Sequence, residues 1–537
     1  MPRYAVVDIF AGPGGLAEGF SSVLSKDGNR AFSIALSVEK DKAAHSTLQL
    51  RSFLRQFGDA FPQAYYDFLN GAAEEPDWKA CYPAEWAAAE AEAWQLELGA
   101  KGVSRKLNRR LDQIHRDNGG NVILIGGPPC QAYSLAGRVR NQGKDNYEPQ
   151  KDKRHFLYRE YIRILDHLRP AAFVMENVKG ILSSSVDGQS KIFDRVLDDL
   201  RADRRGGVRY ELFALAPRTR RQPEVGRIKP RAADFVVRAE DFGVPQARHR
   251  VIIVGIRSDI ATALPDASFA NLLERRRSSA TVSNVLEGLP KLRSGLSRTQ
   301  DGPEEWKQAV VAAMDRVCVL DSGLPDEQQI AFTQAASHHR AEFGRLDSMP
   351  PRMGRGSGIA SSCPEDLRNW LVDPLLKQVP NHFARTHMES DLSRYFYAAA
   401  FAGVAGRSPK ASDFPRELAP QHHNWTTGDF ADRFRVQLPD SASTTITSHI
   451  SKDGHYFIHP DPLQCRSLSV REAARLQTFP DNYLFKGNRT QQYVQVGNAV
   501  PPLLAKWIGE ALWSILSGER IVEDAPAQSA EALSDVA

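Results

Sequence analysis

Along the first third of the chain, short apolar runs alternate with stretches whose apolar residues recur every three or four positions. Tyr4–Asp8, Ser33–Glu39, Asn121–Ile125 and Ala171–Met175 read as strands. Phe156–Leu168 puts Leu157, Tyr161, Ile164, Leu165 and Leu168 on one helical face, and Arg169-Pro170 ends that helix. Tyr210–Leu215, Phe235–Arg238 and Arg250–Ile256 resume strand character. This rhythm predicts an α/β fold, a parallel-core sheet with helices on both faces. Between 51 and 120 the rhythm breaks. Ala84–Leu98 spaces Trp86, Glu90, Trp94 and Leu98 by four, which predicts a helix in a surface-packed insertion.

From about 258 to 435 the pattern is irregular and rich in Gly, Pro and Ser, which predicts a smaller, loop-rich second domain. Residues 257–435 hold 22 basic and 22 acidic side chains, so this is not a basic tail. Strong periodicity returns over 436–517. There Ser469 and Glu472 are spaced as a capping box. Residues 518–537 are small, polar and acidic and read as a flexible tail.

At 537 residues the chain exceeds one ordinary domain. A net charge of +4 allows a nucleic-acid partner but confines any basic footprint to local segments. Five scattered cysteines exclude a disulfide scaffold. No apolar run reaches the length of about 18 residues that suggests a membrane span, and the N-terminus lacks signal-peptide features. A cytoplasmic location, with no membrane partner, is expected. No phosphate-binding G-x-x-x-x-G-K-[ST] loop occurs.

Three strand-to-loop junctions carry candidate chemistry. Asp8–Phe20 (DIFAGPGGLAEGF) follows a strand and opens a helix, so its glycines let a ligand approach the backbone. Glu39 ends the next strand, where it is placed to accept hydrogen bonds from ribose hydroxyls. Cys130 follows Gly126-Gly-Pro-Pro, a rigid turn unlike core packing, which makes it the candidate nucleophile. Glu176 stands on a second loop of this kind, and Gln246-Ala-Arg-His-Arg250 brings Arg248 and Arg250. Thiolate, carboxyl and guanidinium around one pocket suit nucleophilic catalysis on a polar ring.

At these residues the chain resembles the cytosine-C5 DNA methyltransferases. Six blocks of that family occur in its order: DIFAGPGG (8–15), GGPPCQAYS (126–134), MENVKG (175–180), QARHR (246–250), RSLSVREAARLQTFPD (466–481) and QVGNAVPPLLA (495–505). The resemblance implies a Rossmann-like methyltransferase sheet and S-adenosylmethionine as cofactor. Phe10, Gly12, Gly14, Gly15, Pro128 and Asn498 would line its site, with Glu39 on the ribose. Cys130 would add to C6 of a flipped-out cytosine, Glu176 would bind N3 and the exocyclic amine, and Arg248 and Arg250 would stabilise the ring oxygen and the cysteine loop. The catalytic domain would then span 1–257 and 436–517, with 258–435 as target-recognition domain.

The resemblance further implies double-stranded DNA as substrate. Gln131, Ser134, Asn177, and Arg138 and Arg140 in a loop that closes over DNA, would touch it. Arg352 and Arg355 lie among glycines in the middle region, where arginine on a flexible loop can read guanine. Ala216–Arg231 carries six basic residues and one acid. The family often places an acidic residue after a third strand to meet the adenine amine; here 51–120 is expanded, and no position is assigned to that residue. Arg466, Arg471, Glu472 and Arg475 read as helix capping and surface pairing. His382 and His387 have a zinc-like spacing but no cysteine pair, so no metal is expected.

The expected setting is the modification arm of a restriction system, with a cognate endonuclease as functional partner and a monomeric enzyme. A tRNA cytosine methyltransferase is the alternative on the same scaffold. A catalytically silent DNA-binding regulator is the alternative from another class.

Overall fold

A computed structural model describes residues 4–129, 157–184, 191–203, 207–216, 230–264, 272–275, 279–420, 425 and 432–518. Its centre is a sheet of β1 (Tyr4–Ile9), β2 (Phe32–Glu39), β3 (Ala93–Gln95), β4 (Val122–Gly126), β5 (Ala172–Val178), β6 (Tyr210–Phe213), β7 (Val236–Arg238) and β9 (His249–Arg257). The order is β3-β2-β1-β4-β5-β9-β6, with β7 also on β9. The first five strands are parallel. β9 enters antiparallel to β5, pairing Val178 with Arg250. Its beginning therefore lies at the carboxyl ends of the parallel strands, where ligands bind in open α/β sheets. A further short strand, β8 (Gln246–Ala247), pairs with Ser443–Thr444.

Alternate residues of each strand feed opposite faces. Val6, Ile123, Val174 and Val254 pack against the helices Val470–Leu476, Arg489–Asn498 and Pro502–Ser517. Val7, Leu124, Phe173 and Ile253 pack against Val103–Asp117, Leu157–Leu168 and Ile192–Arg201. The C-terminal block thus completes a face begun by the first strand.

The predicted helix over 84–98 ends at Glu92. Glu92 is buried in an ion pair with Arg55, and Ala93–Gln95 pairs with the open edge of β2. Edge pairing overrides the fourfold spacing that Trp94 shares with Trp86. The insertion builds its own aromatic core around Phe53, Tyr65 and Trp78. It also clasps the middle region: Tyr66 donates to Asp373 at 2.9 Å and Asn70 to the Leu375 carbonyl at 3.0 Å.

The middle region divides differently from the 258–435 expectation. Its own core is helical, built on Pro303–Cys318, Asp326–Gly344 and Glu389–Ala405 around Trp306, Phe343 and Tyr397. That core runs on through Phe434 and Ile458 to Cys465. Val282, Leu286, Leu371 and Val379, inside the expected second domain, are buried with the catalytic helices instead. The tail from 519 onward lies outside the described residues, within which no helix is long and apolar enough to cross a membrane.

Candidate active site

Three parallel strands end at one edge and deliver the candidate groups there. β1 ends at Ile9 and hands over to the glycine loop; Phe10 and Gly12 both adopt positive φ, 58° and 59°. The two oxygens of Glu39, at the end of β2, accept the N–H groups of Gly12 at 2.9 Å and Asp41 at 2.7 Å. Each oxygen keeps a second lone pair for a ligand hydroxyl. A Cβ on Gly12 would meet nothing within 4 Å, so the loop opens onto free space there. Gly14 and Gly15 have another reason to be glycine. A Cβ would lie 2.9 Å from Leu48 Cδ1 at position 14 and 2.3 Å from the Val500 carbonyl oxygen at position 15. Both are buried against neighbouring elements, so they shape the loop by packing.

Behind the loop, Asp8 is fully buried, and among the described residues no side chain hydrogen-bonds its carboxylate. Burial pushes its carboxyl well above the usual range, Arg55 opposes, and Glu39 and Glu92 add to the rise.

β5 carries Glu176 and Asn177. Glu176 forms an ion pair with Arg250 Nε at 2.8 Å, both side chains being largely buried. A Cβ on Gly127 would lie 2.9 Å from Glu176 Oε2. Glycine there lets the carboxylate rest against the Gly127 main chain without shifting. Asn177, expected toward DNA, is instead buried and donates to the Pro128 carbonyl at 3.4 Å. It ties the loop before Cys130 to β5. Cys130, Gln131, Ser134, Arg138 and Arg140 lie outside the described residues, as does 217–229 of the basic segment.

Arg248 departs from its expected place. It is 2% exposed, and its guanidinium donates to the carbonyls of Ile446 at 2.8 Å, Ala499 at 2.8 Å and Gly497 at 3.3 Å. Burial pushes its pKa well down and the Arg250 charge adds to this, with Glu176 opposing. Its Nη2 group clamps the main chain on both sides of Asn498, which stands exposed at the end of its helix. Gln246 does similar work, donating to the Leu476 carbonyl at 3.2 Å and accepting the Ile446 N–H at 2.8 Å. Of the two arginines in QARHR, Arg250 alone reaches the carboxylate of Glu176, whereas Arg248 holds Asn498 in place.

The C-terminal arginines are paired, but inside the protein and not at its surface. Arg466, Arg471, Glu472 and Arg475 are all at most 1% exposed. Glu472 completes the capping box with Ser469 and takes both Nη groups of Arg466, at 2.7 and 2.6 Å. Arg475 forks onto Asp481 at 2.9 and 2.7 Å. These pairs sit where the catalytic and middle regions meet, so solvent is absent. Arg352, placed on a flexible loop by its glycine neighbours, pairs with Asp301 at 3.0 Å. Those glycines are close-packed: a Cβ on Gly354 would strike His382 at 2.3 Å and one on Gly358 the Gly288 carbonyl at 2.3 Å. Arg355 is exposed. β3 supplies the third strand, and Glu97, two residues beyond it and 3.8 Å from Lys40, is the acidic residue that follows.

The model of the C-5 cytosine-specific DNA methylases matches residues 105–514. The chain belongs to this family. Methylase relatives extend over nearly its whole length. The type II methyltransferase M.Bpa9945I of Bacillus paralicheniformis is 32% identical, covering 96% of this chain and 99% of that one. M.AgeI of Thalassovita gelatinovora, also a type II methyltransferase, is 28% identical over 73% of this chain and 82% of its own. The DNA (cytosine-5-)-methyltransferase M.ApeKI of Aeropyrum pernix is 28% identical, covering 73% and 81%. The chain is thus a DNA (cytosine-5-)-methyltransferase by family.

Proposed function

We propose that this methylase transfers a methyl group from S-adenosylmethionine to C5 of a cytosine flipped out of duplex DNA, as the modification enzyme of a restriction system. The observation that carries the reading is Glu176, set against Gly127 of the turn that precedes Cys130 and ion-paired with Arg250.

Phe10, Gly12, Glu39 and Asn498 would hold the cofactor, with Pro128 alongside. The open space over Gly12 and the two-point anchoring of Glu39 fit such a ligand. When bound, S-adenosylmethionine supplies an electrophilic methyl group.

C5 of cytosine is a poor nucleophile. Attack of the Cys130 thiolate on C6 makes the ring an enamine and divides one hard step into easier ones. Glu176 accepts a hydrogen bond from the exocyclic amine and delivers a proton, taken up from solvent, to N3 as charge builds on the ring, and Arg250 faces the ring oxygen while keeping Glu176 oriented. Once C5 is methylated, its proton passes to a water molecule and the C6–S bond breaks, returning its electron pair to Cys130 as thiolate and restoring the aromatic ring. Inside a duplex both ring faces are stacked, so the base leaves the helix first, at a cost of about a few kcal/mol. Arg248 acts as a positioning residue through Asn498.

The test is incubation with S-adenosylmethionine and unmethylated genomic DNA, followed by base-resolution mapping of 5-methylcytosine. One short motif methylated throughout is the expected result. Methyl transfer confined to tRNA, or absent from both substrates, would overturn the proposal.

A further inference from the structure

Residues 352–354 run beside 382–384, with Ala384 N–H donating to the Arg352 carbonyl at 2.9 Å and Gly354 N–H to that of His382 at 3.0 Å. This ladder sets Arg352 over the Phe383 ring, 4.8 Å from its centroid. Arg489 comes from elsewhere. It opens the helix Arg489–Asn498 of the C-terminal block and lies 5.6 Å from the same ring. Both arginines donate to one acceptor, the Ala384 carbonyl, at 3.5 and 3.2 Å. Arg385 follows directly, stacked on Tyr493 at 4.5 Å and donating to the carbonyls of Ile450 and Lys452.

The charge here does not balance. Among the described residues, Asp301 is the carboxylate at ion-pair distance from this group, and it is shared between Arg293 at 2.7 Å and Arg352 at 3.0 Å. Arg385 and Arg489 lean on carbonyls only. Burial pushes Arg489 below its ordinary value; Tyr493 opposes this, and the neighbouring charges of Arg385 and Arg352 add to it. Crowding like charges around one aromatic ring is costly, and one arginine would suffice to join the two segments. An incoming anion would relieve the repulsion.

A polar edge leads from this cluster to the active site. Thr445 donates to the Ala247 carbonyl, inside QARHR, at 2.6 Å. From there Thr447, Ser448 and Ser451 are partly exposed and Lys452 is exposed. The run ends where Arg385 grips the Lys452 carbonyl. Hydroxyl, ammonium and guanidinium groups in a row are the chemistry that meets nucleic-acid backbone phosphates.

We infer that Arg352 and Arg489, stacked on Phe383, form with Lys452 a clamp for backbone phosphates of duplex DNA, joining the middle region to the C-terminal block. The inference rests on the proposed DNA substrate. It adds Arg489 and Lys452, which the sequence reading did not single out. It also turns Arg352 from a base reader into a phosphate contact.

The test is fluorescence anisotropy of a labelled mixed-sequence duplex with wild type, Arg489→Gln, Lys452→Gln and Arg489→Lys, across about 50–200 mM salt. Each lost phosphate contact should lower the slope of log affinity against log salt by about 0.9, which is ~3.5-fold in affinity over that range. Arg489→Lys should keep the wild-type slope. Cofactor affinity and thermal melting check that Arg489→Gln is folded, and Lys452→Gln removes only an exposed side chain. Unchanged slopes in both glutamine variants, with wild type binding and methylating duplex, would overturn the clamp alone. A wild type that neither binds nor methylates duplex would instead overturn the substrate reading beneath it.

Discussion

Replacing Arg248 by lysine keeps the charge and removes the fork. The guanidinium reaches Ile446 on one side and Ala499 on the other, both at 2.8 Å, and an ammonium cannot span the two. One buried carbonyl then loses its donor, which costs about 1–3 kcal/mol. Against a total stability of roughly 5–15 kcal/mol this is a readable loss. The freed main chain flanks Asn498, so the affinity for S-adenosylmethionine should fall as well. The rate at saturating cofactor should stay near wild type, because Arg248 does not touch the Glu176 carboxylate. Arg250→Lys should do the reverse. Its ion pair orients the Glu176 carboxylate, and loss of one planar donor there should slow transfer by about 10²–10³-fold while stability and cofactor affinity hold. The assay is urea denaturation, cofactor titration and single-turnover methyl transfer on both variants. If Arg248→Lys slowed saturated transfer without a loss of stability, or Arg250→Lys destabilised the fold more than it slowed transfer, the division of labour within QARHR would be wrong.

Cys130→Ser should abolish methylation yet bind cofactor normally; measurable transfer by that variant would sink the covalent step. Glu176→Gln should slow transfer by about 10²-fold or more and spare duplex binding, as read by gel shift against rate; a wild-type rate would refute the N3 role. Gly127→Ala should push a methyl group against Glu176 Oε2 and lower the rate with little change in melting temperature, a result checked by parallel activity and melting curves. Stability should also fall with acid. Burial pushes both His382 and His459 down to about 4, from about 6.5 in the unfolded chain. The unfolded state therefore binds the extra protons, so stability is full above about pH 6.5 and drains as pH falls toward 4, at up to ~2.7 kcal/mol per pH unit for the two together. Urea midpoints that stayed flat between pH 7 and 5 would contradict this.

β1, β2, β4 and β5 were legible because each buries one or both faces and so carries a dense apolar run. β3 was not, because three residues make no period. Its strand character comes from the free edge of β2, far away in the chain. The middle helices were hidden by averaging. Gly, Pro and Ser spread over 258–435 suggested loops, yet Pro303 at the first helical turn, Glu304 and Glu305 after it, and Trp306, Val310, Ala313, Met314 and Val317 on one face spell a helix start and its buried stripe. Read over a window of one helix rather than the whole region, the signal stands out.

The site was legible wherever chemistry and position lie in the same short block, as with Glu176 and Glu39. It was opaque wherever a side chain's partner lies hundreds of residues away. Arg248 and Arg250 share a block and a residue type, and sequence gave no ground to separate them. What separates them is that Arg248 has the C-terminal block beneath it, with Ile446, Gly497 and Ala499 offering carbonyls, whereas Arg250 has Glu176. Gly12, Gly14 and Gly15 divide in the same way: one faces open space, while Leu48 and Val500 fill the space beside the other two. A block that looks like one functional unit is therefore two. Part of it faces open space, and part receives the C-terminal helices that complete the sheet's cover. The two ends of the chain therefore meet at one place: Val500 packs against Gly15, and Arg248 holds the carbonyls on either side of Asn498.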